Sequence, residues 1–174
     1  MRTCCFRYGD LQPVQDESLS DEGVGKLLKE RGMTISVAES CTGGLISDIL
    51  TNIPGSSQYF DSAVICYSNA SKEDLLGVGG STILEHGPVS SEVTEAMAEA
   101  VRLKRDTTIG LAVTGVAGPD TQGAVPAGTV YVALSSWKGV RVRQYRFSGS
   151  RQEIKTLAAK AALRFLKEHI EQWI

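Results

Sequence analysis

The chain has 174 residues, of which 42% are hydrophobic and 22% charged, with a formal net charge of −2; that balance suits one soluble globular domain with little room for a second. No basic field favours nucleic acid or an anionic membrane surface, and no apolar run approaches the ~18 residues of a bilayer span. The opening stretch MRTCCFRYGDLQPVQDESLS carries charges where a secretory signal needs its apolar core, so the expected compartment is the cytoplasm.

Residues 1–18 are polar and without period and read as a flexible leader, with residues 19–174 as the folded domain. Ser20 then caps a helix with Asp21 and Glu22 in its first turn, Val24, Leu27 and Leu28 on its apolar face and Gly32 past its end, although Gly23 and Gly25 weigh against it. MTISVAE (33–39) reads as a buried strand and TGGLISDILTNI (42–53) as a helix stopped by Pro54 and Gly55. DSAVICYSN (61–69) is a second strand and SKEDLLGV (71–78) starts a short helix. SSEVTEAMAEAVRLK (90–104) forms an amphipathic helix with Val93, Met97, Ala100 and Val101 on one side. TTIGLAVTG (107–115) is a third buried strand. GTVYVALSS (128–136) and VRVRQYRFS (140–148) flank the turn signal WKG as an antiparallel hairpin, in which RVRQYR alternates as an exposed face would. The last 24 residues close the chain as a long helix with Ile154, Leu157, Ala158, Ala161 and Phe165 facing inward. Strands alternating with helices predict an α/β fold: a single three-layer α/β/α domain around a mixed, mostly parallel sheet.

Four cysteines are present without a CxxC pair, and there are only two histidines. Zinc chemistry and a Ser–His–Asp triad therefore both lose support. His86 and His169 read as structural or solvated, the latter near a helix end where a cation suits the dipole.

Three polar segments, ESCTGG, YSNASK and TGVAGPD, each follow a predicted strand, the first and third of them bearing glycines. In a parallel sheet they share the C-terminal edge, where open α/β folds bind ligands. Ser40 sits at a strand-to-helix turn whose backbone N–H groups have no helical partner and face an anion or a developing oxyanion. Gly43 and Gly44 admit a ligand close to the backbone. The competing reading makes Ser40 the cap of the next helix and the glycines an aid to packing. Neither a Walker pattern nor GxSxG is present. Lys72, five residues after Tyr67, falls in a first helical turn, where a lysine meets the positive end of the dipole. Burial lets such a lysine lose its proton and act as a general base, with Tyr67 relaying or orienting. A solvated helix lysine is the alternative. Thr114, Gly115, Gly118 and Pro119 suit backbone and hydroxyl contacts to a phosphate or amide, or else form a tight turn. TQGAVPAGTV continues as a loop long enough to cover a pocket.

Taken in order, AESCTGG, IPGSS..F, YSNASK..LLGV, HGPVS, VTGVAGPD and PAGTV resemble the C-terminal domain of the CinA family (competence/damage-inducible protein), whose stand-alone form is the PncC nicotinamide-nucleotide amidohydrolase. The resemblance spans roughly residues 20 to 172. It implies a three-layer α/β/α domain that deamidates nicotinamide mononucleotide to nicotinate mononucleotide and ammonia, with no metal or organic cofactor and as a homo-oligomer. The family's serine, tyrosine and lysine fall on Ser40, Tyr67 and Lys72. Its Thr-Gly-x-Ala-Gly-Pro stretch falls on Thr114 to Pro119, and a family arginine on Arg151, which reads either as a phosphate contact or as an ion pair at a helix start. The expected binding set is then Cys41, Thr42, Gly43 and Gly44, Ser68 and Asn69, Thr114, Gly115 and Gly118, and Arg151. Many members carry a larger N-terminal molybdopterin-binding-like domain with metal-dependent pyrophosphatase activity; no counterpart stands in these residues, and none of that activity is implied.

The chain departs from the family pattern twice, with DTQG where Asp-Gly-Gly is usual and with Ser62 where a glycine is usual. Both positions are expected near the pocket loops. The implied partner is a small nucleotide substrate, without nucleic acid or membrane. A nucleotide-binding or interaction module without turnover, and an amidase for another small amide, are the competing functions. Cys41 reads as a small buried residue or as a site where oxidation tunes its neighbour.

Overall fold

A computed structural model describes residues 22–172 of the protein. The leader at 1–18 and the cap at Ser20 lie outside the described residues. The elements run α1 (Glu22–Glu30), β1 (Ile35–Glu39), α2 (Leu45–Thr51), a 3-10 turn (Ser56–Gln58), β2 (Phe60–Ile65), α3 (Asn69–Ser71), a π-helical turn (Lys72–Leu76), α4 (Gly80–His86), α5 (Ser91–Arg105), β3 (Ile109–Gly115), β4 (Thr129–Ser136), β5 (Gly139–Arg146) and α6 (Arg151–Glu171). One five-stranded sheet has the order β2-β1-β3-β4-β5. β1 pairs in parallel with both β2 and β3, while β4 runs antiparallel to β3 and β5 antiparallel to β4. Helices on both faces complete the expected three-layer, mixed α/β/α architecture.

The two faces differ because strand residues alternate sides. Ile35 and Val37 of β1, Ile109, Leu111 and Val113 of β3, and Val130, Val132 and Leu134 of β4 fill the layer shared with α1, α2 and α6. On the opposite face the central strands offer Ala38, Ala112 and Ala133 beneath Val93, Met97, Ala98 and Val101 of α5, with Val64, Val140 and Val142 of the outer strands packed beside them. Small residues there let α5 approach closely: a Cβ on Gly110 would stand 2.1 Å from the Ala98 carbonyl oxygen. Burial on both faces is why the central strands read as mostly apolar runs without strict alternation.

Several expectations are corrected. α2 starts at Leu45 rather than Thr42, because Gly43 (φ 64°) and Gly44 (φ 100°) are left-handed and cannot continue a right-handed helix. α4, which opens on two glycines, was not expected. His169 is no dipole-stabilised cation: it is 4% exposed, and burial, with Arg141 and Lys138 nearby, lowers its pKa to about 4. Ser62 lies in mid-strand opposite Ser36, beside a register shift between β1 and β2. It stands four positions before Cys66, about 13 Å at the usual strand rise, so it is no neighbour of the pocket loops.

Among the described residues no helix is long and apolar enough to cross a membrane.

Candidate active site

The parallel pairing of β2, β1 and β3 carries Cys66, Ser40 and Val116 off the sheet at one edge. The first loop remains tied to the sheet, since Ser40 N–H donates to the Val113 carbonyl (3.1 Å) and Gly43 N–H to the Ser40 carbonyl (3.1 Å). What caps α2 is not Ser40. The N-cap position is Gly44, without a side-chain cap bond, and the fully buried carboxylate of Glu39 reaches forward instead. It accepts from the N–H groups of Gly44 (2.9 Å), Ile46 (3.2 Å) and Ser47 (2.9 Å) and from the Ser47 hydroxyl (2.5 Å). The first-turn donors expected to meet an anion are thus occupied by the chain's own carboxylate. Gly43 N–H is also engaged, and of the residues between Ser40 and α2 only Cys41 lines the cavity that the loops enclose.

The second loop is docked by Cys66 N–H donating to the Glu39 carbonyl at 2.7 Å. Ser68 then caps α3 reciprocally with Ser71, so its hydroxyl serves the turn. Lys72 opens the π-helical turn and points inward, 2% exposed; π-turns of this kind concentrate at functional sites. Its ammonium donates to the Cys66 carbonyl at 3.0 Å. Burial lowers its pKa from the usual lysine value, against smaller opposing contributions from Cys66 and Cys41. The expectation of a solvated helix lysine does not survive.

The third loop leaves β3 with Gly115, Val116, Ala117 and Gly118, and the Gly118–Pro119 peptide is cis. Thr114 faces the other way. Its hydroxyl shares a 2.7 Å bond with Thr94, which also donates to the Ser90 carbonyl, so it ties β3 to α5.

Arg151 closes the site from the far end of the chain. It sits in the first turn of α6, one residue after the Ser150 cap, and forms no ion pair with any of the described residues. Its guanidinium donates to the Gly118 carbonyl (2.7 Å) and to the Tyr67 phenol oxygen (2.6 Å), bridging the second and third loops. Arginine only donates, so Tyr67 is the acceptor and its own hydroxyl proton is directed elsewhere.

These loops enclose a cavity of about 340 Å³, within the range of small-ligand pockets. Ser40, Cys41, Tyr67, Asn69, Lys72, Gly115, Gly118 and Arg151 of the expected set line it; Thr42, Gly43, Gly44, Ser68 and Thr114 do not. Sequence reasoning missed Pro88 and Val89, which line it from HGPVS, while Asp120 and Gln122 of the DTQG departure line it in keeping with the expectation that this stretch lies near the pocket loops. Cys41 is 5% exposed and burial pushes its thiol up to about 12. The thiolate is the reactive form, and burial disfavours it at Cys41. Among the described residues no three or more His, Cys, Asp or Glu side chains gather to hold a metal ion.

A model of the CinA C-terminal domain matches residues 17–170. Over 158 residues the chain is 46% identical to a putative competence-damage inducible protein of Desulforamulus reducens, covering 91% of this chain and 38% of that protein. Over 165 residues it is 42% identical to a CinA-like protein of Geobacter sulfurreducens, covering 94% and 40%. The chain spans about two fifths of the length of these relatives. Among solved structures it is similar to a CinA superfamily protein of Klebsiella pneumoniae (TM-score 0.86, 28% identity, 88% of this chain and 96% of that one). It is also similar to a competence/damage inducible protein of Agrobacterium tumefaciens (TM-score 0.80, 34% identity, 86% and 96%).

Proposed function

The chain belongs to the CinA C-terminal domain family, and from that premise we propose that it is an amidohydrolase that deamidates nicotinamide mononucleotide through Ser40, with Lys72 as base. One observation carries the reading. A serine hydroxyl relieved of helix capping and a buried lysine whose pKa is lowered line the same cavity.

Neutral Lys72, directly or through Tyr67, takes the proton of Ser40 as its oxygen bonds to the carboxamide carbon. The N–H group of Cys41, at the cavity wall, meets the negative charge that develops on the amide oxygen. Collapse breaks the carbon–nitrogen bond, and the proton held by Lys72 leaves with the nitrogen as ammonia. Water then attacks the ester and gives a proton to Lys72, which returns it to Ser40, releasing the carboxylate product. No metal or organic cofactor enters the scheme. Arg151, at the cavity wall, supplies the cation for the substrate phosphate, and the nucleotide needs no nucleic-acid or membrane surface.

Acid-quenched mixtures of enzyme and nicotinamide mononucleotide test the scheme by intact mass. The expected adduct equals substrate minus ammonia and is absent from Ser40→Ala. A covalent adduct that persists in Ser40→Ala contradicts the assignment.

A further inference from the structure

We infer that Glu39 is a positioning residue for this reaction, holding Ser40 in its catalytic place by doing the capping that Ser40 would otherwise do. The inference rests on the reading of Ser40 as nucleophile. Glu39 ends β1 and is fully buried. A buried carboxylate is costly unless its oxygens are satisfied. Here one oxygen accepts from Gly44 and Ile46 N–H and the other from Ser47 N–H and Oγ. These bonds join the end of β1 to the start of α2 and close the intervening turn into a ring that contains Ser40, Cys41 and Thr42.

Two consequences follow for the reaction. Helix first-turn N–H groups seek an acceptor, and serine is among the strongest capping side chains. With Glu39 removed, those donors lose their acceptor, and the hydroxyls of the intervening turn, Ser40 and Thr42, compete to replace it, so that the nucleophile is spent on the backbone. The carboxylate also fixes the left-handed Gly43–Gly44 pair, and with it the orientation of the Cys41 N–H group. Glu39 does not line the cavity, so it acts on turnover through Ser40 and touches no substrate.

Glu39→Gln keeps the shape but gives one acceptor oxygen and one NH2 donor to four donors, so half of the clamp becomes donor against donor. Displacing a nucleophile by about 1 Å costs on the order of 100-fold in rate. The expected result for Glu39→Gln is kcat lowered about 100-fold with KM within about 3-fold, whereas Ser47→Ala, which removes one bond of the four, lowers kcat only several-fold. Leu50→Val, a core truncation in the same helix, is the control: chosen to match the loss in thermal midpoint, it keeps kcat. Glu39→Asp, one methylene shorter, recovers part of the loss because it remains acceptor-only.

If Ser40→Ala is inactive while Glu39→Gln keeps wild-type kcat, the inference is overturned and the nucleophile stands. If Leu50→Val loses kcat in parallel with its stability, the role of Glu39 is structural only and the inference is again overturned. Should Glu39→Gln fail to fold, Ser47→Ala against Leu50→Val decides in the same way. Full turnover by Ser40→Ala overturns the functional reading itself, a result distinct from the others.

Discussion

Lys72 Nζ donates to the carbonyl oxygen of Cys66, six residues earlier, at 3.0 Å, across the mouth of a π-helical turn. A carbonyl partner satisfies one ammonium hydrogen without supplying a counter-charge, so burial decides, and the amine is held below its ordinary range.

Turnover should rise with pH as Lys72 loses its proton at that lowered value, giving the acid limb of the rate profile. Between the lowered pKa and 10.5, the ordinary lysine value, the folded state binds fewer protons than the unfolded. Stability contributed by this residue therefore increases with pH across that window and falls as pH drops through it. Lys72→Met should lower kcat by about 1000-fold or more and be at least as stable as wild type at pH 7, since no ammonium is stripped of water. Denaturant unfolding at pH 7 and pH 10 checks the sign; a variant less stable at pH 7 contradicts it.

Arg151→Lys keeps the charge but has no planar fork to span Gly118 and Tyr67 together. A charge-assisted hydrogen bond of about 1.5–3 kcal/mol corresponds to a fall of roughly 10- to 100-fold in kcat/KM. Steady-state kinetics with wild-type values for Arg151→Lys would contradict the bridging role.

Thiol reagents should leave turnover intact. Cys41 is buried, with its thiol pushed up to about 12, and Cys66 is buried with its thiol also raised by burial. Iodoacetamide at pH 8 is expected to cost less than about 2-fold in rate, because the thiolate fraction is negligible. Rapid inactivation that tracks alkylation of Cys41 would contradict this.

His169 should make the fold acid-sensitive. Its folded pKa of about 4 lies below the 6.5 of the free side chain. The unfolded state thus binds more protons between those values, and stability is lost as pH falls through that window, by up to about 3 kcal/mol. His169→Leu should flatten this part of the curve relative to wild type in urea unfolding at pH 7.5 and 4.5. Parallel curves for the two proteins would refute it.

The sheet was legible because β1 and β3 are short, mostly apolar runs, the latter preceded by an amphipathic helix, and because three polar loops follow three strands. Pairing β1 with β2 in parallel then sets Ser40 and Lys72 at one edge, as expected. Thr114 was misread because its face depends on register: it shares the side of Ala112, against α5, and strand alternation alone does not say which layer lies there. Glu39 was overlooked because a carboxylate ending an apolar run reads as the start of a loop. The available signal was Ser47, eight residues on, and a helix start with no polar side chain at Gly44. α4 was missed since its two leading glycines offer no side-chain cap.

Ammonia release from nicotinamide mononucleotide by purified wild-type and Ser40→Ala protein, without added metal, tests the central claim most directly. The account predicts steady release by wild type and none above background from Ser40→Ala. Equal release by the two proteins, or silence from both, would contradict it.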